Sequence, residues 1–170
     1  MQNIILTGPK HSGKTSAGRI LASLCSCEFI DIDDLITQRT GKSPRQIYAG
    51  SPDDFLKAEA EAAASIVISD KAKVIAAGGG IIDNPKAIDS LKELGVIFIY
   101  LAISAGCAWN RIAGNELPAF LKTENPEETH RVLHKRRSAA YQQNADITVD
   151  AEGKTPDEIA AEIKGLIPLK

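Results

Sequence analysis

Met1-Gln-Asn-Ile-Ile-Leu-Thr7 is a short apolar run that continues directly into Gly8-Pro-Lys-His-Ser-Gly13-Lys14-Thr15. The second stretch fits the pattern G-x-x-x-x-G-K-T, which binds phosphate where a strand passes into a helix. Glycines let the backbone turn tightly around an anion, and the positive end of the following helix points to the same place. An ordinary strand-to-helix turn is the alternative, but it does not explain why Gly13, Lys14 and Thr15 occur together.

The loop is therefore expected to bind the phosphates of ATP. Lys14 would reach the β- and γ-phosphates as a catalytic cation, and the Thr15 hydroxyl would bind Mg²⁺. The residues predicted to contact ATP from this loop are Gly8, His11, Ser12, Gly13, Lys14, Thr15 and Ser16.

Composition limits the classes of protein to which the chain can belong. Its 170 residues, 44% hydrophobic and 25% charged, indicate one globular domain spanning residues 1–170. The formal net charge of −2 argues against a nucleic-acid or membrane-surface binder. No apolar run approaches the roughly 20 residues of a membrane span. With no apparent signal peptide and three cysteines lacking metal-site spacing, we expect reduced thiols and a cytoplasmic location.

Extended and helical patterns alternate along the chain. The predicted strands are Ile4–Thr7, Phe29–Asp31, Lys73–Ala77, Val96–Leu101 and Ile147–Val149. The predicted helices are Lys14–Cys25, Asp33–Arg39, Arg45–Ala49, Pro52–Ser69, Pro85–Leu94, Ala105–Ala113, Pro126–Gln143 and Thr155–Leu166. This alternation predicts an α/β fold, in which a five-stranded parallel sheet is flanked by helices on both faces.

Segments that are typical of ligand-binding sites follow three of the predicted strands. The first strand leads into the phosphate loop, the second into Asp31-Ile32-Asp33, and the third into Gly78-Gly79-Gly80. Ligands of parallel sheets bind at the carboxyl ends of the strands. We therefore expect these three segments to meet in one crevice.

With these motifs the chain resembles the shikimate kinase family over nearly its whole length. Beyond the loop, the matching segments are Asp31-x-Asp33 after Phe29, Gly41-Lys-Ser43, Ile47-Tyr48, Phe55 followed by Glu59, Val74-Ile-Ala-Ala-Gly-Gly-Gly80, Phe98-Ile-Tyr-Leu-Ala-Ile-Ser104, Arg137-x-x-x-Tyr141 and Ala145-Asp-Ile-Thr-Val-Asp150. The resemblance implies a three-layer P-loop NTPase fold like that of nucleoside monophosphate kinases. It also implies ATP- and Mg²⁺-dependent phosphorylation of shikimate or a similar hydroxy acid.

The resemblance further implies residue roles. Asp31 would hold Mg²⁺ through water, and Asp33 would bind the substrate hydroxyl and accept its proton. Gly78, Gly79 and Gly80 would let the backbone approach the substrate ring, Arg137 would bind the substrate carboxylate, and Arg111 would pack on adenine. Residues 33–62 would form a substrate-binding helical segment, and residues 114–125 a mobile lid. The protein is expected to act as a monomer, without nucleic-acid or membrane partners.

The sequence departs from the family pattern at three places. Leu56 occupies the position of a substrate-binding arginine, and the neighbouring Lys57 is its candidate replacement. Leu117, or Pro118 on another alignment, stands where the lid carries an arginine, with Lys122 the nearest replacement. His11 takes the place of the middle glycine of the loop.

These departures leave three functions open. The protein could be a shikimate kinase with rearranged arginines, a kinase of another small hydroxylated metabolite, or a nucleotide-binding regulatory module with little transfer activity. Intact Lys14, Thr15, Asp31 and Asp33 favour an enzyme, whereas the lid without arginine favours a binding module.

Three further polar residues have two interpretations each. His130 and His134 lie four residues apart on a predicted helix, where they form either a solvated basic face or a metal site, and we expect the former. Glu59 is predicted to be exposed, with orientation of the substrate arginine as the alternative.

Overall fold

The sheet consists of five short strands. They are β1 (Ile4–Thr7), β2 (Glu28–Asp31), β3 (Lys73–Ala76), β4 (Ile97–Ala102) and β5 (Ile147–Asp150). The computed structural model describes residues 2–67, 71–114 and 116–167. All neighbouring strands are parallel, in the order β2-β3-β1-β4-β5. The predicted five-stranded parallel sheet is therefore confirmed.

Eight α-helices surround this sheet in the described part of the chain. They are α1 (Lys14–Leu24), α2 (Ile32–Thr40), α3 (Pro44–Gly50), α4 (Pro52–Ala64), α5 (Pro85–Glu93), α6 (Ala105–Ala113), α7 (Pro126–Asn144) and α8 (Pro156–Leu166). Two short 3₁₀ turns, Ile81–Asp83 and Ala119–Leu121, complete the described elements. Among these elements, none of the helices combines the length and apolar character that a membrane crossing requires.

Two apolar layers hold the helices to the sheet. Residues from α1, α6 and α8 pack with β1 and β4 in one layer, and residues from α2, α4 and α5 pack with β1 and β3 in the other. Every residue of β1 is buried, because the central strand is covered on both faces. The sheet thereby fixes the place at which β1 passes into the phosphate loop.

Side-chain caps define several helix starts. A capping box joins Thr155 and Glu158 at the start of α8. A second capping box joins Ser43 and Gln46 at the start of α3. Asp31 caps α2 by accepting a hydrogen bond from the Asp33 amide at 3.0 Å. This cap orders the two aspartates of the Asp-x-Asp pair relative to each other.

One helix prediction needs correction, and one short turn was not predicted. Helix α4 ends at Ala64 and not at Ser69, because the Ser65 hydroxyl bonds to the Ala62 carbonyl and the apolar Ile66 is buried beside the last turn. Residues 68–70 lie outside the described part of the chain. The segment after the triple glycine forms an unpredicted 3₁₀ turn, in which the Asp83 amide donates to the Gly80 carbonyl at 2.9 Å.

Candidate active site

The phosphate loop requires glycine at both of its ends. Gly8 has a φ of +139°, and a Cβ there would lie 2.6 Å from the carbonyl oxygen of Leu101. Gly13 has a φ of +97°, which L side chains rarely adopt. The two glycines that define the motif are therefore fixed by backbone conformation and by the close approach of β4.

The third departure from the family pattern lies inside this loop. His11 adopts a φ of +62°, a left-handed conformation that costs a non-glycine residue about 1–2 kcal/mol. The carbonyl of His11 accepts a hydrogen bond from Nη1 of Arg111 at 2.7 Å. Burial, then the charges of Lys10, Lys14 and Arg111, lower the pKa of the imidazole. The loop therefore has a strained, left-handed residue at the position where the family pattern has its middle glycine.

Lys14 is buried and held by the loop itself. Its Nζ donates to the carbonyl oxygens of Gly8 at 3.0 Å and Pro9 at 2.7 Å. Burial lowers its pKa to about 8, while the charges of Asp33 and Asp31 act in the opposite direction. The ammonium of Lys14 is thus fixed beside the aspartate pair in the crevice that the sequence predicts.

Thr15 and Asp31 form a pair of oxygen donors. The Thr15 hydroxyl donates to Oδ2 of Asp31 at 2.9 Å. A hydroxyl and a carboxylate are ligands that suit Mg²⁺, which usually keeps several waters and binds through one or two protein groups plus phosphates. The described residues contain no cluster of three or more His, Cys, Asp or Glu side chains that could hold a metal ion without such help. The donor set therefore fits a phosphate-bound Mg²⁺.

Asp33 is half-buried beside this pair. Burial, followed by the charge of Asp31, raises its pKa. A Cβ on Gly78 would lie 3.1 Å from Oδ1 of Asp33, so the carboxylate faces the first residue of the triple glycine. Because the raised pKa makes Asp33 a better proton acceptor than an exposed aspartate, its position suits a general base.

The triple glycine runs between the phosphate loop and α7. A Cβ on Gly79 would lie 2.9 Å from the backbone nitrogen of Lys10, and a Cβ on Gly80 would lie 3.5 Å from Nη2 of Arg137. The hydroxyl of Tyr141 donates to the carbonyl of Gly79. Any side chain at Gly79 would therefore displace the phosphate loop.

Arg137 is held by Asp83, a residue that sequence reasoning missed. The Nε of Arg137 donates to Oδ2 of Asp83 at 2.8 Å, and Nη2 lies 2.7 Å from the same oxygen. Nη1 makes no hydrogen bond with any described residue. The Phe120 ring lies under the guanidinium, 5.6 Å from its carbon. Asp83 thus orients the arginine and leaves Nη1 open for another anion.

Glu59 is buried, so the prediction that it is exposed is wrong. Its exposed fraction is 0%, and Oε2 accepts a hydrogen bond from Nδ2 of Asn84 at 2.9 Å. The same amide group donates to the Leu56 carbonyl at 2.8 Å. Burial raises the pKa of Glu59 to about 7, an effect that Asn84 opposes. Oε1 has no hydrogen-bond partner among the described residues and lies 3.4 Å from where a Cβ on Gly78 would be.

His130 and His134 are also buried, which corrects the prediction of a solvated basic face. Their exposed fractions are 6% and 9%, because α7 packs this side of the helix against α6. The His130 ring lies 5.6 Å from Trp109 and 5.7 Å from His134, measured between ring centroids. Burial is the largest cause of the lowered pKa of both imidazoles. Their neighbours in sequence, Arg131, Lys135 and Arg136, are exposed as predicted.

Neither lysine that the sequence offered as a replacement for an arginine lies in the crevice. Lys57 is exposed and makes no hydrogen bond or ion pair with any described residue. Lys122 forms an ion pair with Glu116 at 3.5 Å, and Glu116 also pairs with Arg45 on α3. A role for Lys57 in substrate binding remains a prediction.

The segments predicted to form the lid and the substrate-binding helices are joined by further contacts. The ring of Phe120 lies 6.3 Å from Tyr48, which in turn lies 5.8 Å from Phe55, between ring centroids. Together with the pair between Glu116 and Arg45, these rings connect residues 116–125 to α3 and α4 on the side of the crevice that contains Arg137.

One cavity of roughly 380 Å³ brings the central predicted residues together. Its lining is Lys10, His11, Gly13, Lys14, Thr15, Ser16, Asp31, Asp33, Ala77, Gly78 and Gly79. A second, narrower cavity adjoins the loop, and Arg137, Phe120, Tyr141 and Lys10 are among its lining residues. Lys10 lines both cavities.

A strand-loop-helix phosphate site at the edge of a parallel sheet, with a carboxylate pair beside it, defines a phosphate-loop kinase. A model of the shikimate kinase family matches residues 10–167, so the chain belongs to this family. The resemblance that the sequence motifs indicate is thereby confirmed.

Similar shikimate kinases match this chain over nearly its whole length. The shikimate kinase of Thermoanaerobacter pseudethanolicus is 36% identical, over 100% of this chain and 99% of the relative. That of Thermodesulfovibrio yellowstonii is 33% identical, over 96% of this chain and 93% of the relative. A solved structure of the Acinetobacter baumannii shikimate kinase in complex with shikimate superimposes with a TM-score of 0.86 at 31% identity, covering 98% of this chain and 92% of that one.

Proposed function

We propose that this protein transfers the γ-phosphoryl group of ATP to the 3-hydroxyl of shikimate. One observation carries the proposal: Asp33 and Arg137 face the two ends of the same glycine strip. A Cβ on Gly78 would lie 3.1 Å from Asp33, and a Cβ on Gly80 would lie 3.5 Å from Arg137. A small ring lying on these glycines meets a proton acceptor on one side and a carboxylate-binding cation on the other.

Each residue at the donor end has a defined task. The loop amides and Lys14 bind the phosphates, and Thr15 with Asp31 holds Mg²⁺, which neutralises phosphate charge when it is bound. Ser12, Ser16 and Arg111 are the other residues that contact ATP, and the Arg111 guanidinium is held by the His11 carbonyl. The donor end orients the phosphates and contributes no covalent chemistry.

At the acceptor end, Asp33 binds the substrate hydroxyl and accepts its proton. The hydroxyl oxygen forms the new bond to the γ-phosphorus, and the bond from that phosphorus to the bridging oxygen breaks with its electron pair remaining on ADP. Arg137 fixes the distant carboxylate by a charge-assisted hydrogen bond. Residues 33–62 form the acceptor side and residues 114–125 close over it to exclude water.

Phosphorylation of a different hydroxylated carboxylate is the second candidate. The observation in its favour is that Leu56 stands at an arginine position and Lys57 is exposed. The substrate carboxylate then depends on Arg137, and a single arginine discriminates less sharply among acids.

A coupled ADP-release assay separates the candidates. We expect millimolar shikimate to stimulate ADP release well above the background hydrolysis of ATP, and to do so more than gluconate or other hydroxylated acids. Preference for another acid would favour the second candidate. Absence of stimulation by every acid would contradict both.

A further inference from the structure

The lid of this kinase carries no arginine. Residues 114–125 read Gly-Asn-Glu-Leu-Pro-Ala-Phe-Leu-Lys-Thr-Glu-Asn. Phosphoryl transfer spreads negative charge over the oxygens of the transferred group, and a cation aimed at that charge contributes about 10³–10⁵ to the rate in related reactions. A working site therefore needs a cation in the cavity in addition to Lys14.

The charged groups of the lid do not meet this need. Lys122 is exposed and paired with Glu116, whose carboxylate also binds Arg45. Outside the lid, Arg137 is bound to Asp83 and its open Nη1 is assigned to the substrate carboxylate, while Arg111 donates to the His11 carbonyl.

Lys10 lies in the cavity where this additional cation is needed. Its backbone nitrogen packs against Gly79, 2.9 Å from where a Cβ would be. Its side chain is exposed, and Lys10 lines the cavity around Thr15, Asp31 and Asp33 as well as the one that contains Arg137. Lys10 thus stands at the boundary between the donor and acceptor halves of the site.

The charge of Lys10 reaches the reacting groups without being neutralised. Among residues 2–67, 71–114 and 116–167, no carboxylate forms an ion pair with it and no acceptor bonds to its ammonium. Its charge lowers the pKa of both Lys14 and Asp33. An unpaired cation in this place attracts a phosphate at short range.

We propose that Lys10 neutralises the transferred phosphoryl group in place of the absent lid arginine. This inference rests on the proposed function, since it assigns the missing charge of that same reaction. Lys10 contacts the γ-phosphate oxygens while the bond to the bridging oxygen breaks and the bond to the acceptor oxygen forms. The kinase thereby carries in its phosphate loop a charge that the family pattern places in the lid.

The first test compares Lys10→Met with Lys10→Arg and Lys92→Met. Lys92 is an exposed residue in the last turn of α5, so its substitution removes the same charge without altering the cavity. We expect kcat to fall about 10³-fold or more in Lys10→Met, in line with the loss of a charge-neutralising residue. Lys10→Arg should remain within about tenfold of the wild type, and Lys92→Met should not change.

The second test does not depend on the acceptor. Affinity for ADP and Mg²⁺ is measured by calorimetry with and without aluminium fluoride, which mimics the transferred phosphoryl group. Aluminium fluoride should increase the affinity of the wild type for ADP and Mg²⁺, and in Lys10→Met this increase should be at least tenfold smaller. The affinity of Lys10→Met for ADP alone should stay within about threefold of the wild-type value.

The outcomes separate the two proposals. Absence of shikimate turnover in the wild type would overturn the proposed function, and the fluoride experiment would still decide the role of Lys10. Wild-type kcat and fluoride affinity in Lys10→Met would overturn the inference. A loss in Lys122→Met but not in Lys10→Met would also overturn it, because the missing charge would then come from the lid.

Discussion

Arg137 donates from Nε to Oδ2 of Asp83 at 2.8 Å, although the two residues are 54 positions apart. The contact joins the turn after the triple glycine to α7. Since Nη1 remains open, Asp83 can orient the guanidinium while a substrate carboxylate binds to its free edge.

Replacing Asp83 should therefore weaken substrate binding more than it slows transfer. In Asp83→Asn we expect KM for shikimate to rise about tenfold, as for loss of one charge-assisted contact of about 1.4 kcal/mol. The change in kcat should stay within about threefold. Asp89→Asn, an exposed site on α5, is the control. An unchanged KM in Asp83→Asn would show that Arg137 needs no orienting partner.

Substitutions of Asp33 and Lys14 should distinguish proton transfer from the acceptor from binding of the phosphate donor. Asp33→Asn should lower kcat at least about 10²-fold, as expected for a general base, with little effect on ATP affinity. Lys14→Ala should lower both kcat and the affinity for ATP. The neighbouring Asp34 is exposed, so Asp34→Asn measures the effect of removing one negative charge nearby. Turnover unchanged in Asp33→Asn would place the acceptor elsewhere.

Glu59 should make stability depend on pH. Its pKa is raised to about 7 from an ordinary 4.5, so its contribution to stability is present below pH 4.5 and is lost as pH rises through 7. Glu59→Gln removes this dependence. Relative to the wild type, its free energy of unfolding should increase between pH 5 and pH 8, by at most about 3 kcal/mol. Urea denaturation at several pH values measures the difference, and a constant difference would contradict a buried ionisable carboxyl.

The buried histidines should act in the opposite direction. Burial lowers the pKa values of His130 and His134 in the folded protein, and at His130 the charges of His134 and then Arg137 lower it further. Their contribution is therefore present above the unfolded pKa of about 6.5 and is lost as pH falls below it. The double variant His130→Gln/His134→Gln should lose less stability than the wild type between pH 6.5 and 5. Parallel curves would indicate that both imidazoles are accessible to protons.

Local pattern was sufficient to predict the donor half of the site. The residue types of the apolar run Ile4–Thr7 and of the loop after it are enough to predict a strand followed by a phosphate loop. Strand β1 has the predicted bounds. The alternation of strands and helices then predicts that Asp31 and Gly78 meet the loop at one edge of the sheet, and the two lie together there.

The residues that support the acceptor half could not be predicted from local pattern. Asn84 and Glu59 are hydrogen-bonded although they lie 25 positions apart in the sequence. The local sequence around a glutamate on an Ala-rich helix is the same whether its side chain is exposed or buried. His130 and His134 lie among exposed basic residues on α7, so composition indicated a solvated face. Only the packing of α7 against α6 determines which side of the helix is covered.

The central claim is that phosphate is transferred to the 3-hydroxyl of shikimate. The most direct measurement is ³¹P NMR of wild-type protein incubated with ATP, Mg²⁺ and shikimate. We predict a new phosphate-ester resonance, coupled to the proton on carbon 3, that grows in equal amount with ADP. Growth of inorganic phosphate alone, or of an ester at another hydroxyl, would contradict the account.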